Sequence, residues 1–182
     1  MTLPIQIGIR WGIIATFISI LAFVIPYIIG STIIYNMWYG FFFFFLWLIL
    51  IFLTARDLRA QQDGAATLSE LFQSTFVSFA LMTLVMGLFN YVFYNYIDPS
   101  YANTLKQHII ESTQSMLENF GAPPETIEQS ISQLEAQDLS MSLKNIALTS
   151  VKSLIFGLFI CLIVSAIMQK RRHADSNKQE MA

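Results

Sequence analysis

Few side chains in this sequence are of a type and at a spacing that could do chemistry, and Glu70 is the first to weigh. A carboxylate beside an apolar run could serve as a general acid or as a cation ligand. Thr67-Leu68-Ser69-Glu70, however, has the spacing of a capping box, in which the hydroxyl and the carboxylate satisfy first-turn amides reciprocally, and that explains the position without catalysis. His108 and Glu111 have the helical spacing of a ligand pair, but a zinc site needs further ligands, so a solvated helix face is the plainer reading. Cys161 is the single cysteine and sits within an apolar run, which excludes an intrachain disulfide and a cysteine-based metal site.

An ionisable group deep in a membrane is a functional hypothesis by default, and no apolar run has one at its middle. Lys152 comes nearest, and its stem can snorkel to the headgroups from about the second turn of its helix or pair with the acidic segment before it. Ion-coupled transport therefore has no visible proton or sodium site. Arg56 and Arg59, beside Asp57 and Asp63, could hold anionic lipid headgroups, although as the flank of an apolar run they read first as a topology signal. Lys170, Arg171, Arg172 and His173 form a stronger juxtamembrane patch, able to hold the polar tail at the inner leaflet with about 1 kcal/mol per basic residue. Asn90 and Asn95 fit helix-to-helix hydrogen bonds. A lipid-active enzyme would have only Glu70, Asp98 and His108 as polar actors, and no positioned nucleophile and base can be named among them. We expect no enzyme, no catalytic, cofactor-binding or metal residues, and no cofactor.

These residues hang on elements that the composition describes well. With 55% hydrophobic, 14% aromatic and 12% charged residues in 182, the chain lies outside the range of soluble domains and reads as an all-α polytopic membrane protein. A hydrocarbon core of about 30 Å needs roughly 20 apolar residues in a helix. Spans are expected at Trp11 to Ile29, Met37 to Thr54, Thr75 to Ile97 and Ile146 to Met168, within a single integral membrane domain covering residues 1–182. The first run is too long for the apolar core of a signal peptide, and no small-x-small cleavage site follows it. The capping box predicts that the third helix starts at Leu68, before the bilayer.

Arg10, Arg56, Arg59, Lys170, Arg171, Arg172 and Lys178 flank the spans on one side, against Lys106, Lys144 and Lys152 on the other. By the positive-inside rule both termini, including the tail 169–182, face the cytoplasm of an inner membrane. Trp11 at one boundary and Tyr35, Trp38, Tyr39, Tyr91, Tyr94 and Tyr96 near the other fit interfacial belts. The opposite side receives the uncharged link Gly30 to Asn36 and the acidic segment 98–145, whose charge balance is −5. There Asp98 before Pro99 fits an N-cap followed by proline at the first helical position, and Leu105, Ile109, Ser112, Met116 and Phe120 recur at helical spacing. Gly121 stops that helix, Pro123 and Pro124 restart the chain, and Ile127, Ile131 and Leu134 form a thinner stripe. An extracytoplasmic helical hairpin between the third and fourth spans follows, packed over the bundle mouth or lying in the headgroups, the former preferred because neither helix has tryptophan or a lysine-rich face.

Lipid offers no hydrophobic reward for helix association, so contacts are sought at small residues. Gly8, Gly12, Ala15, Ser19 and Ala22 in the first span, Ala80, Thr83, Gly87 and Asn90 in the third, and Ser150, Ser153, Gly157, Cys161 and Ser165 in the fourth predict three tightly packed helices. Phe41 to Phe45 with Trp47 and Phe52 make the second span the peripheral one. Pro26 is expected to kink the first helix near its end, its missing donor covered by a neighbouring helix or water.

An arginine-bearing segment followed by Gly64, Leu68, Glu70 and Phe72, and Ile97-Asp98-Pro99 closing the third span, resemble motifs of bacterial membrane proteins grouped as domain-of-unknown-function family 4199, common in Bacteroidetes. Leu71 stands where that family usually has a small residue. The resemblance implies four spans over nearly the whole chain and carries no activity or site residues with it. The expected function is a scaffold or accessory subunit of a membrane complex; the alternative is a component of an oligomeric transporter or channel. Its partners would be the lipid bilayer and either itself or another membrane protein, and no basic footprint for nucleic acid is present.

Overall fold

The computed structural model describes residues 2–30, 37–136 and 142–180, with Met37 and residues 170–180 described by their backbone alone. The link after Gly30, with Tyr35, as well as Asp138, lies outside the described residues, and so do the side chains of the 170–173 patch and of Lys178. Among the described residues all regular structure is helical: α1 (Leu3–Ile28), α2 (Met37–Gln61), α3 (Leu68–Val92) running into a π-helical turn (Phe93–Ile97), α4 (Tyr101–Asn119), α5 (Pro124–Ala136) and α6 (Leu143–Glu180). Four stretches, Leu3–Ile28, Trp38–Gln61, Leu68–Ile97 and Leu143–Gln169, are long and apolar enough to cross a membrane.

The helices overrun the expected spans at the arginine-bearing ends. Pro4 in the first turn of α1 needs no amide partner there, so the helix begins well before Trp11. Helix α6 continues beyond Met168 to Glu180, where lysine, arginine, glutamine and alanine favour helix in the segment expected to be only a polar tail.

The chain divides into two compact units, residues 1–87 with 148–182 and residues 88–147. In the first, α3 is the hub. A Cβ on Gly8 would stand 2.6 Å from the Ser74 carbonyl oxygen, and one on Gly12 would stand 2.9 Å from the Leu81 side chain. One on Gly157 of α6 would overlap the Phe79 ring, which also lies 4.3 Å from the Trp47 ring of α2. Each of these glycines admits a helix backbone where any side chain would hold it off.

Two packing expectations are corrected. The buried face of α3 is Leu71, Ser74, Thr75, Ser78 and Phe79 rather than Ala80, Thr83, Gly87 and Asn90, because the bundle closes around the N-terminal half of the helix, where small serines alternate with the large anchors. Helix α2 is peripheral only over its phenylalanine-rich half. Its other half buries Leu50, Ile51, Thr54, Ala55 and Leu58, since Thr54 and Ala55 are small enough for the helix to close on the core. In α6 the buried set is Gly157, Cys161, Val164, Ser165 and Met168, the expected stripe shifted toward the same end.

Pro26 lies inside α1 and cannot donate to the carbonyl of Ala22 four residues back; the Tyr39 hydroxyl of α2 donates to that carbonyl instead. The neighbouring helix thus covers the missing donor as expected.

In the second unit, Phe93, Tyr94 and Tyr101 are buried against one another with ring centroids 5.3 to 5.8 Å apart. The Asp98 carboxylate accepts from the Tyr101 amide at 3.1 Å and so satisfies a first-turn donor of α4, but Pro99 and Ser100 form a turn first, which moves the N-cap to Ser100 and leaves Pro99 outside the helix, a correction to the expected cap. Gly121, at φ +70°, ends α4 with Gly121 N–H to Glu118 O at 2.9 Å and Ala122 N–H to Leu117 O at 3.0 Å, the paired bonds of a Schellman motif. Helix α5 then returns along α4, and Lys106 Nζ donates to the Glu135 carbonyl at 2.8 Å.

Candidate functional site

Most of the polar residues singled out from sequence are occupied locally. Glu70 Oε2 accepts from the Thr67 amide at 2.9 Å and hydroxyl at 2.7 Å, its own amide donates to Thr67 Oγ1 at 3.4 Å, and Oε1 accepts from Gln62 Nε2 at 3.2 Å. The capping box therefore uses the carboxylate fully. His108 Nδ1 lies 3.5 Å from Glu111 Oε2 on an open helix face. Asn95 donates back to the Tyr91 carbonyl of its own helix at 2.8 Å, while Lys152 is exposed with no ion pair among the described residues. Glu70 belongs to the first unit and Asp98 and His108 to the second. Among the described residues no three His, Cys, Asp or Glu side chains gather as metal ligands do.

The buried polar residues of the bundle, among those described, are serines and threonines, and the threonines turn inward on the backbone. Thr16 donates to Gly12 O at 2.8 Å, Thr54 to Leu50 O at 2.8 Å and Thr75 to Leu71 O at 2.9 Å, with Thr75 Oγ1 also 3.4 Å from Ser165 Oγ. Such i to i−4 bonds let a threonine sit in an apolar interior without a solvent partner.

Two features were not foreseen. Asp57, noticed only as a neighbour of the arginines, clamps α1 to α2: Arg10 pairs with it, Trp11 Nε1 donates to Oδ2 at 2.8 Å, and Gln61 Nε2 donates to Oδ1 at 3.1 Å. The available signal was an arginine and an aspartate of opposite sign flanking successive spans on the same side. Beside this clamp, a groove of about 630 Å³ runs along α2, lined by Ile49, Phe52, Leu53, Arg56 and Arg59 and closed on another side by Met168 of α6. Neither arginine is paired with a carboxylate among the described residues.

The stripe predicted on α4 has a different fate from the one expected of a packed hairpin. Ile109, Met116 and Phe120 are 37%, 40% and 80% exposed, while α5 lies on the neighbouring side of the helix marked by Lys106. At about 100° per residue these three fall within one narrow arc, with Glu111 and Glu118 on the far side.

Four apolar membrane-length helices, with all regular structure among the described residues helical and a clamp of charge at one end, define a multi-pass membrane protein. Residues 10–170 match the family model described as "Protein of unknown function (DUF4199)", and the chain belongs to that family. No curated protein and no solved structure matches it.

Proposed function

We propose that the chain is a non-enzymatic scaffold or accessory subunit of a complex in a bacterial inner membrane, with both termini cytoplasmic and the α4–α5 hairpin outside. The observation that carries this reading is the apolar stripe Ile109, Met116 and Phe120, partly exposed at the first two and largely exposed at Phe120, on a helix that is not among the membrane-length segments. An amphipathic helix with its anchors at i, i+7 and i+11 fits a helix-in-groove partner. A protein groove suits the stripe better than headgroups do, because Glu111 and Glu118 occupy the opposite face, where an interfacial helix would carry lysine or arginine. The orientation is supported by seven of the ten Lys and Arg residues flanking the spans on one side.

The test is a photo-crosslinking amino acid placed at Phe120 or, as control, at Gln114 on another face, in native membranes. The expected result is a protein adduct, to a second copy or to another membrane protein, from position 120 and none from 114. Adducts to lipid alone, or equal labelling from both positions, would remove the reading.

A further inference from the structure

We propose that the groove at the arginine-bearing end of α2 is a binding site for an acidic phospholipid, its phosphate held by Arg56 and Arg59 and an acyl chain lying against Ile49, Phe52, Leu53 and Met168. At about 100° per residue, Ile49, Phe52, Leu53, Arg56 and Arg59 share one face of α2, and the opposite face, with Ile51, Thr54 and Leu58, is buried in the bundle. The groove therefore opens away from the core, on the surface that such a helix turns to lipid. Its lining changes along the helix from aliphatic and aromatic to cationic, the order in which a phospholipid presents its chain and its phosphate. Ile49 is more than half exposed.

Charge selects the occupant. Asp57 is the one carboxylate between the arginines in sequence, and it points to the clamp with Arg10, Trp11 and Gln61 on the other flank of the helix, so it does not neutralise them. Asp63, exposed in the turn after α2, does not line the groove and pairs with neither arginine. Two guanidinium groups one helical turn apart, free of carboxylate partners, offer planar donor forks that match phosphate oxygens. A zwitterionic lipid would present the same phosphate with a cationic group beside the arginines and is disfavoured; inorganic phosphate would leave the apolar lining uncovered.

The experiment is native mass spectrometry of the full chain, purified and delipidated in a neutral detergent, titrated with phosphatidylglycerol or phosphatidylcholine. Two basic contacts predict phosphatidylglycerol binding about thirtyfold tighter, from roughly one headgroup increment per arginine. Arg56→Gln with Arg59→Gln should bring it to the phosphatidylcholine level, whereas Lys152→Gln should leave it unchanged. Ile49→Trp fills the groove without changing charge and should weaken binding severalfold, which keeps the test decisive if the arginine variant fails to fold. Equal binding of the two lipids, full binding in the arginine or tryptophan variant, or displacement by inorganic phosphate in molar excess would overturn the proposal.

Discussion

The two units invert one another. In the bundle, small hydroxyls and glycines share the interior with a few large anchors such as Leu71 and Phe79, and many large side chains such as Phe17, Phe45 and Phe159 are outside, while in the hairpin unit the aromatic rings Phe93, Tyr94 and Tyr101 are inside and a short apolar stripe is left on α4. Lipid explains the first arrangement: with nothing gained by hiding leucine from hydrocarbon, tight backbone approach and local hydroxyl bonds decide which residues are interior. The second unit holds α4, which is not among the membrane-length segments, so the same rule does not carry over to that helix. An apolar stripe is unremarkable on a lipid-facing helix and informative on α4, so the same residue types carry packing in one unit and, under the proposed function, would carry recognition in the other.

The contrast breaks most sharply at Gly157. If close approach governs the bundle, Gly157→Ala should cost about 3 kcal/mol, since the added methyl overlaps the Phe79 ring and that ring is held between α6 and Trp47. Thermal unfolding in detergent measures it. Phe79→Leu should relieve part of the overlap, so a double-mutant cycle will give a large favourable coupling; additive losses would mean that the contact does not govern stability.

Asp57 tests whether charge at the bundle's end is structural. Asp57→Ala removes the acceptor for Trp11, Gln61 and Arg10 together and should cost about 2 kcal/mol, mainly through the indole left unpaired, because Arg10 is half-exposed and solvated. Raising salt should change the wild-type midpoint little. A large salt dependence would shift the weight to the ion pair itself.

Tyr39→Phe is a smaller and cleaner probe. Loss of the hydroxyl orphans the Ala22 carbonyl opposite Pro26 and should cost about 1 kcal/mol. In a Pro26→Ala background, α1 can supply its own amide to Ala22, and the same substitution should become nearly neutral. An equal loss in both backgrounds would show that the ring of Tyr39, packed 4.9 Å from Phe43, is what matters.

How much of this was legible in advance depends on the range of the rule. The spans, the Thr67–Glu70 box, the Asp98 carboxylate as a first-turn acceptor, the Gly121 stop and the need to cover Pro26 are local, and the chain states them within a few residues. Burial along α2 was obscured by its phenylalanines, which outnumber Thr54 and Ala55 although the latter decide how near the helix can come. On α3 the expected stripe had the right spacing at the wrong height, since periodicity identifies a face but not the level at which four helices converge. Arg56 and Arg59 were visible as a pair, whereas the groove was not, because its other wall is Met168, more than a hundred residues away. Sequence reading grouped Ile109, Met116 and Phe120 correctly and could not tell that α5 would lie beside them instead of over them.

That last point sets the smallest expected effect on stability and the most telling one for function. Phe120→Ser combined with Met116→Ser removes apolar surface that is largely exposed at Phe120 and partly exposed at Met116, so the unfolding midpoint should move by no more than about 0.5 kcal/mol equivalent. If the stripe recognises a partner, the same variant should lose co-purification from native membranes while keeping its fold and its insertion. A loss of stability comparable to that of Gly157→Ala would show instead that the stripe belongs to the chain's own packing. The inversion between the units would then be one of packing alone, and the α4 stripe would carry no recognition.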